Sequence, residues 1–158
     1  MKTFKELLCE TKLYRGVGAK DKDYNRDSPF VWFTLDKDFA EEYARTNLST
    51  RASREGRVVS IDYSLKNTAD LRDADRRIPV SSFLAELMKQ SSVNFKNIKD
   101  QGMQLRKDII NEFGSKADYI HQFWQSQKVA EFVDLLGFDS VKALESGKKT
   151  VGILQNKL

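Results

Sequence analysis

Strand-forming segments occupy the two ends of this chain and helix-forming segments fill its middle, and that distribution is its strongest constraint. Runs rich in β-branched and aromatic residues fall at about Lys12–Arg15, Phe30–Thr34 and Arg57–Tyr63, and again at Phe138–Leu144 and Thr150–Leu154. Between roughly residues 80 and 137 the apolar residues recur at helical spacing instead, as in Leu105, Ile109 and Ile110 or Phe132, Val133 and Leu136. No internal repeat or low-complexity segment interrupts the pattern. The reading is an α+β chain in a single domain, residues 1–158, with a helical insertion at about 80–137.

A chain of 158 residues buries a core without staples. Its single cysteine, Cys9, gives no disulfide framework. Its single histidine, His121, gives neither a two-histidine zinc site nor a serine–histidine–aspartate relay. A Cys9–His121 nucleophilic pair would require two helix-like, partly apolar segments to meet. No run resembles a membrane span or a signal peptide, so a soluble protein of a reducing compartment, the cytoplasm, is expected. Lys and Arg number 27 against 23 Asp and Glu, a net charge of +4 spread along the chain. That balance favours phosphate-bearing or acidic partners only weakly.

Locally, Phe4, Leu7 and Leu8 predict a short N-terminal helix. Arg15 ends the first strand, and Gly16 and Gly18 permit positive φ or close backbone approach there. Residues 19–29 form a polar loop that suits a substrate-facing lid. Asp36 or Asp38 caps the helix that carries Phe39, Ala40, Tyr43 and Ala44 and extends toward Leu48. Residues 67–77 read as a polar connection anchored by Leu71. Helices are predicted at 80–88, 103–113 and 115–136, the last as one long helix stopped by Gly137. Residues 91–100 read as a connector, and Glu145–Lys149 as a charged turn before the last strand.

Each candidate site residue has an ordinary reading beside a functional one. Arg15 is a surface arginine or a fork for a diphosphate. Trp32, Phe33 and Tyr43 are core or a stacking surface for a flat ring; alternation puts Trp32 and Thr34 on one face of their strand and Phe33 on the other. Glu145 is a solvated turn carboxylate, or it stabilises positive charge developing at an anomeric carbon. Asp139 is buried or caps its turn. Gly16-Val17-Gly18 is too short for a dinucleotide fingerprint, and no phosphate-cradling glycine loop is present.

Three blocks together resemble the ADP-ribosyltransferase fold family, in particular phage and bacterial toxin-like members of its arginine–serine–glutamate type. Leu13-Tyr14-Arg15-Gly16 is similar to the opening strand with its NAD-binding arginine. Trp32-Phe33-Thr34 followed by Phe39-Ala40-Glu41-Glu42-Tyr43-Ala44 is similar to the serine/threonine strand and the helix behind it. Gly137-Phe138-Asp139-Ser140-Val141, Glu145 and Thr150-Val151-Gly152-Ile153-Leu154 are similar to the C-terminal strand, glutamate turn and final strand.

The resemblance implies a split pair of small antiparallel sheets around an NAD cleft. It implies that Arg15 contacts the phosphates or the nicotinamide ribose, that Thr34 supports the catalytic carboxylate, and that Glu145 is that carboxylate. Tyr14, Gly16, Trp32, Phe33 and Tyr43 complete the implied NAD-binding set. The implied activity is transfer of ADP-ribose from NAD to a macromolecular acceptor, a host or target protein, with release of nicotinamide; hydrolysis of NAD is the variant with water as acceptor. The family's serine-threonine-serine run is reduced here to Phe33-Thr34-Leu35. Ala143 stands where a second acidic residue accompanies arginine modification, and Lys148 and Lys149 stand where some members carry the glutamate. These departures leave open a family-shaped binding or inhibitor protein without transferase activity. A third reading, a nucleic-acid-associated protein, draws on Arg51, Arg54, Arg57, Arg72, Arg76 and Arg77.

Overall fold

The computed structural model describes residues 10–17, 28–46, 56–72, 79–114, 120–145 and 147–158. The expected N-terminal helix, Gly18, most of the lid loop and Arg51, Arg54, Arg76 and Arg77 lie outside the described residues. The strands are β1 (Glu10–Val17), β2 (Phe30–Thr34), β3 (Arg57–Ser64), β4 (Thr68–Asp70), β5 (Ser140–Glu145) and β6 (Lys148–Leu154). The helices are α1 (Lys37–Thr46), α2 (Val80–Gln90), α3 (Lys99–Phe113), α4 (Ile120–Gln125) and α5 (Gln127–Leu135). Among the described residues, no helix is long and apolar enough to cross a membrane.

The strands form one hydrogen-bonded sheet of six, in the order β3-β1-β2-β6-β5-β4. All pairs are antiparallel except β4 with β5. One sheet thus stands where two were expected, but it has a weak seam. β1 and β3 pair along their full eight residues, and β2 and β6 along five, whereas among the described residues β1 and β2 share one partner pair, Tyr14↔Thr34. The two halves close a small core on one face: Leu13 with Val31, Phe33, Val151 and Ile153, flanked by Ile61 and Tyr63. Burial raises the Tyr63 phenol above its ordinary pKa, and the charge of Asp139 at the far half adds to the shift.

The other face carries the larger core. Phe30, Ala69, Val141 and Leu154 meet α2 through Phe83, Leu84 and Leu87, and α5 through Val129, Phe132 and Val133. The i, i+3, i+4 and i+7 spacing of Val80, Phe83, Leu84 and Leu87 makes one buried stripe. α1 covers the β1–β3 half of the same face. It sits unusually close because it opposes small residues to small residues. A Cβ at Gly16 would overlap the Ala40 carbonyl oxygen and lie 2.8 Å from the Ala44 nitrogen.

Three expectations need correction. The helix expected over 115–136 is broken at Ser126, whose backbone is extended and whose hydroxyl accepts from Val129 N–H and donates to Glu112. The apolar period runs through the break, so spacing alone did not reveal it. The connector at 91–100 holds a 3-10 turn, Phe95–Asn97, and the start of α3. Within the polar stretch 67–77, Thr68–Asp70 is a strand. The neighbouring chain is clasped to β5: Asp139 exchanges backbone and side-chain hydrogen bonds with Asn67, and buried Ser140 donates to Asp139 while receiving Thr68.

Candidate functional site at the strand seam

The residues singled out by sequence gather at one end of the sheet but differ in what they can reach. By register, Tyr14, Thr34, Thr150 and Ala143 lie in one row across four strands. Residues directly opposite share a face, so this row and Trp32, two residues back from Thr34, face the helices. Glu145 closes β5 opposite Lys148, in the strand and not in the turn. Its position is two strands from Thr34 and two residues farther along, about 12 Å by strand geometry.

Arg15 belongs by alternation to the opposite face, with Leu13 and Phe33. Its Nη1 nevertheless donates to the Trp32 carbonyl at 3.0 Å. Beyond the single β1–β2 pair that carbonyl lacks a β1 partner in the ladder, and a main-chain acceptor is costly to leave unmatched. The guanidinium therefore bridges the seam where the ladder opens. The same side chain has a further polar or electrostatic interaction, so it is a fixed cation of the sheet.

Thr34 is buried, and its hydroxyl is fully engaged. It donates to the Lys149 carbonyl at 3.1 Å and accepts from Asp36 N–H at 3.1 Å. A hydroxyl has one proton, so in this arrangement Thr34 joins β2, β6 and the start of α1 and donates to no carboxylate. Thr34→Val is expected to lower stability by about 1–2 kcal/mol, read by urea denaturation; an unchanged midpoint would contradict the joining role.

Asp36 caps α1: its Oδ1 accepts from Phe39 N–H at 3.2 Å, and its Oδ2 lies 3.5 Å from the Lys148 ammonium. The Phe39 hydrogen bond, together with Lys148, holds its pKa below the ordinary 3.8. A depressed carboxylate pKa contributes stability that is present above the unfolded value and lost as pH falls through the folded value. Unfolding midpoints measured from pH 5 down to pH 2 should therefore fall, and Asp36→Asn, which keeps a capping oxygen, should fall less steeply over that window. Equal slopes would remove Asp36 from the account.

Tyr14 and Trp32 are partly buried and Tyr43 is exposed. Tyr43 packs its Cβ toward Gly16. Gly16 and Phe33 do not belong to an open surface. α1 seals Gly16, and Phe33, 2 % exposed, sits in the core of the opposite face. The accessible set at the seam is thus one guanidinium from one face of the sheet and Tyr14, Trp32 and Tyr43 on the other.

No protein-family model, curated protein or solved structure matches this chain.

Among the described residues, a cleft of about 360 Å³ lies elsewhere, at the opposite end of β2, between Ser28–Pro29, Leu154–Asn156 and the Gln127–Asp134 face of α5. Its charged groups are Glu131 and Asp134, the latter paired with Lys157 at 3.4 Å. Carboxylates in the wall repel a diphosphate, and no aromatic ring lines it. Asp36–Lys148 and the row position of Thr150 were not singled out by sequence; their only signal was their adjacency to Thr34 and Glu145.

Proposed function

We propose that this chain binds NAD at the seam between its two strand halves and transfers ADP-ribose to a macromolecular acceptor, a host or target protein. The observation that carries the reading is the opened β1–β2 ladder with Arg15 held across it beside Trp32. A planar, permanently charged fork suits a diphosphate; it reaches the seam from the face opposite to the Tyr14 and Trp32 rings and meets Trp32 at its main-chain carbonyl, so a dinucleotide crosses the opened seam to lay its flat bases on those rings. In this reading the weak seam is what remains joined of a split sheet pair, and its mouth is the cleft. Arg15 holds the phosphates, and Tyr14, Trp32 and Tyr43 flank the rings. Glu145 stabilises the positive charge that grows on the ribose as the bond to nicotinamide breaks, the electron pair leaving with nicotinamide. An acceptor nucleophile closes the new bond and gives its proton to solvent; water in that place gives hydrolysis.

A second reading has an observation of its own. Thr34 spends its proton on Lys149, and the residue paired with Thr34 is Thr150, which carries no carboxylate. These features favour a family-shaped protein that binds NAD or a target and transfers nothing. Incubation with NAD labelled in its adenylate half, with and without a lysate of the target cell, separates the two. Label on protein together with free nicotinamide supports transfer, and free nicotinamide alone supports hydrolysis. Saturable NAD binding without nicotinamide release supports the second reading.

A further inference from the structure

The cleft at the far end of β2 is built by segments that lie far apart in sequence. Gln127, Ala130, Glu131 and Asp134 recur at i, i+3, i+4 and i+7, so they form one stripe of α5 beside its buried stripe of Val129, Phe132 and Val133. The facing wall is Ser28–Pro29 and the 3-10 turn Gln155–Lys157, joined by the Gln155 N–H donating to the Pro29 carbonyl at 3.0 Å. Buried Ala130 and Leu154, with Pro29, give the cleft an apolar lining. Its charge is unbalanced. Glu131 and Asp134 lie one turn apart on the stripe, where like charges repel. Lys157 answers Asp134 at 3.4 Å. Glu131 is exposed and, among the described residues, has no ion pair. The rim thus holds one ammonium and leaves one carboxylate unanswered. An apolar lining with such a carboxylate at its edge fits an aliphatic stem that ends in a cation. Lysine and arginine side chains have that form. A free amino acid would bring its own carboxylate past the same acids, and a peptide-linked one does not, which favours a protein segment.

We infer that this cleft binds a lysine or arginine side chain of a protein partner, the stem lying over Ala130, Leu154 and Pro29 and the charged head meeting Glu131. The inference extends the acceptor side of the proposed function, since the length of β2, about 14 Å, separates the cleft from the seam. It rests on that reading for the partner's being the target, and not for the binding itself.

Titrating the ¹⁵N-labelled chain with acetyl-glycyl-lysyl-glycine amide, and with its arginine and norleucine counterparts, tests the inference. The backbone amides of Ala130, Glu131 and Asn156 should shift saturably with the lysine or arginine peptide at millimolar concentration. They should stay in place with norleucine, which keeps the stem and loses the charge. Glu131→Gln should weaken the charged peptides about two- to fivefold with its thermal midpoint unchanged. Lys157→Met should strengthen them by a similar factor, because it frees Asp134. Asp62→Asn, the same change of net charge placed on β3, should have no effect. Absence of a saturable shift with either charged peptide overturns the inference, as do equal shifts with norleucine or equal weakening by Asp62→Asn. Shifts with spermidine but with neither charged peptide would assign the cleft to a free polyamine and overturn it too. The titration contains no NAD, so its failure leaves the seam reading standing, and failure of NAD binding leaves these shifts in place.

Discussion

Glu145→Gln is expected to reduce nicotinamide release by on the order of a hundred- to a thousandfold while leaving NAD affinity within about threefold. The amide keeps the size of the side chain, and the position is held by backbone pairing: Glu145 closes β5 opposite Lys148, and β5 is anchored by buried Val141 and Ala143. The fold therefore has no reason to respond. What disappears is a negative charge, and charge placed where positive charge develops acts in the transition state more than in the bound substrate. A binding loss equal to the turnover loss would instead make Glu145 a ground-state contact. Unchanged turnover would remove it from the chemistry and direct attention to Asp36, the carboxylate beside Lys148 on the same end of the sheet.

Gly16→Ala is expected to cost at least about 3 kcal/mol of stability, the upper end of what overpacking costs, because the new methyl group meets helix backbone and not a side chain that can turn away. The Ala40 carbonyl oxygen and the Ala44 nitrogen are the obstructing atoms. Ala40→Gly should for that reason fail to rescue it. Displacement of α1 would also disturb the Asp36 cap and, through Thr34, the end of β2, so NAD binding should weaken as a consequence of the shifted helix. Urea denaturation of the single and double variants reads both points. A Gly16→Ala chain within about 1 kcal/mol of wild type would show that the helix is free to move, and rescue by Ala40→Gly would show that side-chain bulk was the obstacle.

What the sequence revealed and what it concealed divides along local and non-local physics. The β2–α1 unit was legible because its determinants are neighbours: aromatic alternation in Phe30–Thr34, a capping Asp36, and apolar residues at helical spacing. The two faces of β2 were legible for the same reason, and the structure keeps Trp32 and Phe33 on opposite sides. β4 was not legible, because Thr68–Asp70 is a strand only by virtue of β5, seventy-two residues on, and the clasp of Asp139 with Asn67. Nor was the seam: nothing in Tyr14 or Thr34 announces that, among the described residues, they form the one bridge between β1 and β2. For Gly16 the sequence left positive φ and close approach open; the structure has close approach, by the backbone of α1. Thr34 drew notice for its hydroxyl, whose partners, Lys149 and Asp36, depend on β6 arriving beside it.

The central claim, that the seam at Arg15 is the NAD site, is tested most directly by equilibrium binding of NAD to the wild-type chain and to Arg15→Ala. Saturable binding by the wild type is expected, weakened at least about tenfold by the substitution, as loss of a charge-assisted hydrogen bond implies, with the variant still unfolding cooperatively. Equal affinity in the two proteins, or no binding to the wild type at millimolar NAD, would contradict it.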